Sequence, residues 1–339
     1  MSTNLLRGFW LMLFLFLTGC STTTNEVVKQ TFYVFGTEVN IEIVNTPKDK
    51  ADAAIQAIEV DFHRFNREWH AWEKGGLLSK VNDAIAQGAS IVVPDSVKTF
   101  IEKSKVLSKE SDYLFDPGIG NLLKLWGFES EDWHGPPPSK ALIEQWLKSR
   151  PSIADVHFDG NRLYSTNHQV KLDFGGNAKG LALDRAIRTL KASGIENAIV
   201  NIGGDMRIIG TKNHHPWKIG IQDPADSHKV IGLVELSGDE SIVTSGSYQR
   251  FFKWQGKTYS HILNPNTGYP ADHFLSVTVI NTDATTADSA ATAIMVAGPS
   301  NWQKIARQMH ITKAFMIDTD GKRYFTPQMK PLVQPVNPS

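Results

Sequence analysis

Alternating apolar and polar residues predict strands early in the chain, and apolar residues at helical spacing predict helices after them. Residues 31–45 form two alternating runs on either side of Phe35-Gly36-Thr37, a pattern typical of a β-hairpin. Residues 49–72 and 95–111 then carry apolar side chains at helical spacing, which predicts two amphipathic helices.

The second half of the chain is rich in strand patterns. Hairpins around Gly-Gly-Asp and Asp-Gly turns are predicted over residues 197–210 and 315–325, and single strands over residues 216–224 and 230–238. One long helix is predicted from Asn177 to Ala192, with Gly194 ending it. Strands with interspersed helices in this arrangement predict an α+β fold rather than a strictly alternating parallel sheet.

Residues 129–140 are the strongest loop signal, because they include three consecutive prolines. At 339 residues the chain is long enough for two lobes or for one large domain. The loop therefore separates two lobes or is a surface insertion within one, and the sequence leaves both alternatives open.

The charge balance argues against a polyanionic partner. Lys plus Arg and Asp plus Glu are equal at 35 each, so the chain has no overall field that would attract nucleic acid. We therefore expect no nucleic-acid partner.

The N-terminus predicts export. Arg7 precedes an apolar run from Phe9 to Leu17 that is too short to span a bilayer. Cys20, the only cysteine, follows Leu17-Thr18-Gly19 and resembles the lipid-bearing cysteine of the bacterial lipobox, although an incidental cysteine beside an ordinary cleavage site is the alternative. We expect a signal peptide over residues 1–19, a lipidated tether over 20–30 and a folded domain over 31–330. No other cysteine remains for disulfides or thiol catalysis.

The segment from Lys171 to Gly180, KLDFGGNAKG, predicts an anion site. A strand runs into two glycines and then into a helix start, where free amide groups and the helix dipole favour negative charge. Lys179 adds a positive charge, and Asp173 is placed to accept a hydrogen bond from a ligand. The alternative is a tight strand-to-helix turn whose glycines supply positive φ and whose lysine lies on the surface.

The alanine-rich segment over residues 283–298 offers a partner for this site. Asp288 and Thr292 are four positions apart in a predicted helix ended by Gly298, so their oxygens lie on one face. A carboxylate and a hydroxyl suit a hard cation such as Mg²⁺. The alternative is a capping box, in which Thr285 and Asp288 only satisfy the start of the helix.

A third cluster lies over residues 241–270. A predicted strand ends at Thr244-Ser245-Gly246, and His261 lies just ahead of a turn rich in Asn, Gly and Pro. Histidine is the usual proton acceptor when a hydroxyl becomes a nucleophile. The alternative is a hydrogen-bonded structural histidine.

These clusters, in this order, resemble the ApbE family of FAD:protein FMN transferases. The matching segments are VFGTEVNIEI, FDPGIGNLLKLWGF, LDFGGNAKGLALDRA, NAIVNIGGDMRIIG, TSGSYQRFF with YSHILNPNTGYP, and SVTVINTDATTADSAATAIMVAG. They run from about Phe35 to Gly298, and six ordered motifs are far more specific than one.

The resemblance implies a two-lobed, T-fold-like enzyme that is exported, often as a lipoprotein. It implies that FAD is the substrate, that Mg²⁺ is bound, and that FMN is transferred to a Thr or Ser of a partner protein with release of AMP. The expected partner is a subunit of a membrane redox complex, so the periplasmic side of the inner membrane is favoured and the outer membrane is not excluded.

The resemblance also assigns site residues. It implies that FAD contacts Phe115, Asp116, Asp173, Gly176, Lys179, Thr244, Ser245 and Gly246. Asp288, Thr292 and a backbone carbonyl near Ala178, or that of Gly176, would bind the metal. His261 would be the acid–base residue that activates the acceptor hydroxyl.

The chain departs from the family pattern at several positions. Phe35 replaces the usual methionine ahead of Gly36 and Thr37, and an aromatic ring there can still stack on the ligand. Trp72 stands where relatives often have Tyr and is placed to cover the adenine, and Asn177 replaces an isoleucine. Gly118-Ile119 stands in place of Thr-Val.

Two other functions remain open from the sequence. With water as the nucleophile, the same site would make the chain a magnesium-dependent FAD pyrophosphatase. Without chemistry, it would be a flavin-binding lipoprotein.

Overall fold

The computed structural model describes residues 27–130 and 134–336. The predicted signal peptide, Cys20 and most of the tether lie outside these residues. Within the described ranges, no helix has the length and apolar character needed to cross a membrane.

Sixteen strands and seven α-helices form the described part of the chain. The strands are β1 (Val27–Val34), β2 (Thr37–Val44), β3 (Ile91–Val92), β4 (Val156–Asp159), β5 (Arg162–Ser165), β6 (Ala198–Ile202), β7 (Asp205–Ile209), β8 (Trp217–Asp223), β9 (Asp226–Leu236), β10 (Glu240–Gly246), β11 (Phe251–Trp254), β12 (Lys257–Ser260), β13 (Phe274–Asn281), β14 (Lys313–Asp318), β15 (Arg323–Phe325) and β16 (Gln334–Pro335). The helices are α1 (Lys48–Trp69), α2 (Leu77–Ala86), α3 (Asp95–Glu110), α4 (Gly120–Leu125), α5 (Lys140–Ser149), α6 (Ala178–Ala192) and α7 (Ala284–Gln308).

An eight-stranded antiparallel sheet is the centre of the fold, in the order β1-β2-β6-β7-β10-β13-β14-β15. Helices α1, α6 and α7 pack on one face, where the alternating apolar residues of β2 are buried. The three-stranded sheet β16-β9-β8 packs on the other face through a second apolar cluster. The predicted α+β fold with antiparallel sheets is confirmed.

A second lobe is built from α2, α3 and the small sheet β3-β5-β4. Its core combines residues from Leu78 to Ile101 with residues from Ile153 to Phe174. Since these two stretches flank the proline-rich loop, that loop is an insertion within one lobe and does not separate two.

The predicted hairpins form, and their turns show why. Phe35 and Gly36 both have positive φ, 59° and 68°, as a two-residue turn between β1 and β2 requires. Gly203 and Gly204 form the turn between β6 and β7 with φ of 58° and 99°. Asp205, predicted as part of that turn, is instead the first residue of β7.

The predicted long helices also form, with one addition. Helix α6 spans Ala178 to Ala192, and Gly194 follows with φ of 64°. Helix α7 breaks at Gly298 as expected, but a second helical segment continues after Pro299 to Gln308. Helices α2, α4 and α5 were not predicted from the sequence.

Candidate active site

The glycine-rich start of α6 lies directly against α7. The amide of Gly180 donates a 3.0 Å hydrogen bond to Asp288 Oδ2. A Cβ at Gly180 would lie 2.4 Å from the carbonyl oxygen of Ala284, and a Cβ at Gly176 would lie 3.4 Å from Thr292 Oγ1. The two predicted clusters, more than a hundred positions apart, therefore share one crevice.

The glycines serve close approach rather than an unusual backbone conformation. Gly175, Gly176 and Gly180 are absent from the glycines with positive φ. Lys179 is mostly buried and forms an ion pair with Asp205. The alternative of a positive-φ turn with a surface lysine is therefore wrong.

The start of α7 is capped without Asp288. Asp283 accepts from the amide of Thr286 at 2.7 Å. Asp184, on α6, accepts from the amides of Ala284 and Thr285 at 3.0 Å each. The capping-box alternative is wrong, because these two carboxylates leave Asp288 to face the Gly-Gly loop.

Asp205 connects Lys179 to the end of β10. Its carboxylate pairs with Lys179, and its Oδ1 accepts from the amide of Thr244 at 2.9 Å. Asp205 is 2% exposed. Burial lowers the pKa of Lys179, but Asp205 and Asp288 outweigh burial and raise it, so the lysine stays charged. The Gly-Gly-Asp pattern predicted only a turn and gave no sign that Asp205 pairs with Lys179.

The end of β10 completes this side of the crevice. Ser245 Oγ lies 3.5 Å from Thr292 Oγ1, and Thr244 Oγ1 lies 2.9 Å from Thr278 Oγ1. At Gly246 a Cβ would lie 2.6 Å from the ring of Tyr248, so any larger residue there would displace that ring.

The oxygen donors around Asp288 fit a hard cation. The Asp288 carboxylate, the Thr292 hydroxyl and the backbone at Gly176 lie together, and all three are oxygen ligands of the kind that Mg²⁺ prefers. Burial and the nearby Asp205 raise the pKa of Asp288, a cost that a bound cation would relieve. No cluster of three or more His, Cys, Asp or Glu side chains suited to a metal occurs within residues 27–130 and 134–336. Backbone, water or substrate oxygens would therefore be needed.

His261 is oriented by the residue that precedes β11 and is kept neutral mainly by burial, which lowers its pKa. The carbonyl of Arg250 accepts from the backbone amide of His261 at 3.0 Å and lies 3.1 Å from its Nδ1. Since a carbonyl only accepts, Nδ1 carries the hydrogen and Nε2 keeps its lone pair. Burial, with the positive charges of Arg250 and Lys179, lowers the pKa of His261 to about 4. The imidazole is thus available as a proton acceptor at neutral pH.

Asp173 and Trp72 form a second wall. Lys171 Nζ lies 3.6 Å from the centroid of the Trp72 ring, and the Trp72 side chain hydrogen-bonds to Asp173. Burial raises the pKa of Asp173, while the amide of Gly175, at 2.8 Å, and Trp72 oppose that shift. Trp72 is therefore fixed beside the Gly-Gly loop.

Asn82 on α2 supports this wall and was missed by the sequence analysis. Its side-chain amide pairs with both backbone groups of Leu172, accepting from the N–H at 2.7 Å and donating to the C=O at 2.9 Å. The strand predicted ahead of the Gly-Gly pair is wrong, because this segment forms only one isolated bridge, between Lys171 and Ile119. Leu172 immediately precedes Asp173, so Asn82 positions the segment that leads into the Gly-Gly loop. A lone asparagine within an apolar helix pattern gives no signal of this contact.

The comparisons with known proteins agree with the motifs. The sequence model of the ApbE family matches residues 35–316.

The chain belongs to the ApbE family.

Two similar proteins are both named FAD:protein FMN transferase. This ApbE-family chain is 36% identical over 309 residues to the FAD:protein FMN transferase of Rhodobacter capsulatus, covering 91% of this chain and 59% of that protein. It is 29% identical over 328 residues to the FAD:protein FMN transferase of Vibrio cholerae, covering 94% of this chain and 96% of that protein. The chain thus spans less than two thirds of the Rhodobacter relative but nearly all of the Vibrio one.

Solved structures give the same result. The ApbE protein from Thermotoga maritima matches with a TM-score of 0.82 at 32% identity, covering 91% of this chain and 99% of that one. The flavin transferase ApbE from Vibrio cholerae matches with a TM-score of 0.80 at 28% identity, again covering 91% and 99%. The family, its fold and the flavin-transferase class of enzyme predicted from the sequence are confirmed.

Asp116, one of the residues the family resemblance assigns to FAD, already has a full set of protein partners. Its carboxylate accepts from the amides of Gly118 and Ile153 at 2.7 and 2.8 Å and from Ser152 Oγ at 2.5 Å. Burial raises the pKa of Asp116 to about 6, although these donors oppose the shift. The carboxylate therefore holds the loop that carries Phe115, whose ring lies against Gly176. Contact of Asp116 with FAD stays a prediction.

The Phe35-Gly36-Thr37 turn lies at the same end of the sheet as Asp205. A Cβ at Gly203 would lie 2.7 Å from Thr37 Oγ1, so this turn packs on the β6–β7 turn. The Phe35 ring packs on α1, with centroids 5.3 Å from Phe62 and 5.9 Å from Phe65. Its contact with a ligand, like those of Gly36 and Thr37, stays a prediction.

A row of buried polar groups joins the Gly-Gly loop to the loop of Phe115. Asn177 Nδ2 donates to Ser104 Oγ at 3.0 Å, while its Oδ1 has no partner among the described residues. Ser108 on α3 and Ser111 just after its end each donate a 2.8 Å hydrogen bond to the carbonyl one turn back, and the Phe115 amide donates to Ser111 Oγ at 3.1 Å. These hydrogen bonds fix the position of the Gly-Gly loop relative to the loop that carries Phe115.

Proposed function

We propose that this chain is an FAD:protein FMN transferase that moves FMN from FAD to a Thr or Ser hydroxyl of an acceptor protein and releases AMP. The names of its relatives support the activity. The observation that carries the proposal for this chain is the contact between the Lys179 loop and the Asp288–Thr292 face of α7. A crevice with a buried lysine, helix-start amides and hard oxygen ligands suits a diphosphate.

The reaction exchanges one phosphorus–oxygen bond for another. The acceptor hydroxyl oxygen attacks the phosphorus of the FMN half, and the bond from that phosphorus to the bridging oxygen breaks, so that AMP leaves with the electron pair. His261 Nε2 takes the hydroxyl proton as the new bond forms. The neutral state of His261 and the fixed hydrogen on Nδ1 make this transfer available without prior deprotonation.

Positive groups held in fixed positions compensate the negative charge of the diphosphate. Lys179 stays protonated because of Asp205 and Asp288, and the same Asp205 holds its ammonium group in place. Such preorganised charges stabilise a developing negative charge without reorganising during the reaction. Asp288, Thr292 and the backbone of Gly176 or Ala178 would hold Mg²⁺, which when bound lowers the negative charge on the phosphate oxygens.

The cellular setting follows from the N-terminal sequence. We propose that Cys20 carries a lipid and anchors the domain at the periplasmic side of a membrane. The inner membrane is favoured, since a redox-complex subunit is the expected acceptor. The outer membrane remains an alternative, because Ser21 rather than aspartate follows the cysteine.

The decisive experiment follows both products. The soluble domain is incubated with FAD, Mg²⁺ and an exported redox subunit bearing a periplasmic threonine, and mass spectrometry looks for the FMN adduct on that subunit. Adduct with equimolar AMP supports the transferase. Free FMN and AMP without adduct indicate a pyrophosphatase, and unchanged FAD indicates a flavin-binding protein.

Two variants assign the roles within the site. His261→Ala is expected to bind FAD normally and to lose transfer, with His228→Ala on the exposed part of β9 as the matched control. Asp288→Ala is expected to require far more Mg²⁺ for activity. Unchanged labelling by His261→Ala, or full activity of Asp288→Ala at low Mg²⁺, would exclude the corresponding role.

A further inference from the structure

Strands β11 and β12 form a ribbon that stands apart from the other sheets. They pair with each other from Phe251↔Ser260 to Trp254↔Lys257, and no third described strand is hydrogen-bonded to them. Gln255 and Gly256 close the turn with φ of 48° and 79°. Neither outer edge of the ribbon is therefore paired with another described strand.

The base of the ribbon is the active site. The chain enters β11 shortly after Gly246, and β12 leads directly into His261. The carbonyl of Arg250, the residue before β11, holds both the amide and Nδ1 of His261. A polypeptide that lies along the ribbon would thus deliver a side chain next to the imidazole.

One side of the ribbon is anchored and the rest is exposed. Phe252 is buried, and its ring centroid lies 5.2 Å from Tyr259 and 5.7 Å from Phe128. Phe251 and Trp254 remain 36% and 37% exposed, and Lys253 and Lys257 are exposed beside them. Exposed aromatic rings are enriched in protein–protein interfaces relative to the rest of the surface.

The ribbon segment has one sign of charge. The sequence from Ser241 to Ala271 contains no Asp or Glu, whereas Arg250, Lys253 and Lys257 lie on or next to the ribbon. Lys257 Nζ lies 5.4 Å from the Tyr259 ring centroid, and no carboxylate within residues 27–130 and 134–336 forms an ion pair with it. An acidic segment is the polypeptide chemistry that complements this surface.

We propose that the β11–β12 ribbon is the docking surface for the acceptor, and that it binds an extended acidic segment next to the target Thr or Ser. The inference rests on the proposed transferase function, because that reaction requires a polypeptide hydroxyl at His261. The ribbon supplies strand edges that no other described strand pairs with, exposed aromatic rings, and positive charge close to His261 in the chain. FAD binds in the crevice of Lys179 and Asp288, so ribbon substitutions should leave FAD affinity unchanged.

Two synthetic peptides serve as probes. Each has one central threonine, flanked in the first by aspartates and in the second by asparagines. With saturating FAD and Mg²⁺, the wild type should label the aspartate peptide with a kcat/KM about tenfold higher than the asparagine peptide. K253E/K257E should abolish this preference through KM while kcat and the Kd for FAD stay constant. The matched control is K322E, since Lys322 lies 4.9 Å from the Tyr324 ring in a different hairpin.

The outcomes distinguish a failure of the docking proposal from a failure of the proposed transferase function. Equal labelling of both peptides by the wild type, or an unchanged KM in K253E/K257E, overturns the ribbon as the docking surface while the transferase function stands. The same KM increase in K322E also overturns it, because the effect would then be nonspecific charge. If the wild type labels neither peptide nor the exported redox subunit, the transferase function fails and the docking inference fails with it. F251S provides a neutral second variant, and its acceptor KM should also rise.

Discussion

Replacing Gly180 with alanine should force α6 and α7 apart at the centre of the site. The added Cβ would lie 2.4 Å from the Ala284 oxygen, 2.7 Å from the Ala284 carbonyl carbon and 2.8 Å from Thr285 Cα. All three are backbone atoms that cannot rotate away. Because ordinary contacts lie near 3.5 Å, the helices must separate by about 1 Å.

The cost can be worked out from this movement. Overpacking costs about 1–3 kcal/mol. The same shift lengthens the 3.0 Å hydrogen bond from Gly180 to Asp288 beyond bonding range, which adds about 1–3 kcal/mol for unsatisfied buried groups. Alanine returns at most about 1 kcal/mol through its better helix propensity. The free energy of unfolding should therefore fall by about 1–6 kcal/mol.

Urea unfolding of Gly180→Ala measures its free energy of unfolding. FAD titration and the rate of adduct formation report whether its active site is intact. The matched control is Gly220→Ala on β8, where a Cβ would meet only the methyl groups of the exposed Val230 at 3.0–3.1 Å. The control should stay within about 0.5 kcal/mol of wild type. If Gly180→Ala is as stable and as active as the control, close packing of these helices does not build the site.

Three further predictions test the residues that position the site. Asp184→Asn should lower the free energy of unfolding by about 3–5 kcal/mol, because it breaks the buried ion pair with Arg207. Hydrogen exchange should then be faster at the amides at the start of α7, and unchanged exchange would contradict this prediction. Asn82→Ala should lower the free energy of unfolding, measured in urea, by about 1–3 kcal/mol and should also weaken FAD binding. If stability falls while FAD affinity stays normal, Asn82 has only a structural role. In an NMR titration, His261 should stay neutral as the pH falls to about 4, which is its pKa in the folded protein. Arg250→Gln should raise this pKa, because it removes a nearby positive charge. A wild-type pKa near 6.5 would refute the argument from burial.

Local signals predicted most of the elements near the site, although the strand predicted ahead of the Gly-Gly pair does not form. The alternation around Phe35-Gly36-Thr37, the helical spacing after Asn177 and the glycine stops at Gly194 and Gly298 each involve neighbouring residues, and the structure places an element or a break at each. Helices α2, α4 and α5 were missed. Two of them are only ten residues long and one is six, too short for a clear periodic signal.

The roles of the acidic residues could not be predicted in the same way. Asp184 appears in the sequence as one polar position of α6, yet it accepts hydrogen bonds from α7 a hundred positions later. Asp205 appears as a turn residue, yet it pairs with Lys179. Asp288 fitted a capping box until the structure showed Asp283 and Asp184 capping α7. In each case the deciding hydrogen-bond partner is distant in the chain.

The sequence by itself determined the family, the α+β class and the chemistry of the motifs, because these depend on residue type and spacing along a few turns or strands. Only the tertiary structure decided which carboxylates cap helices, which one holds the lysine and which one is left to face a ligand. The physical reason is that a buried carboxylate takes its role from the donors around it, and packing brings those donors from strands and helices far apart in the chain.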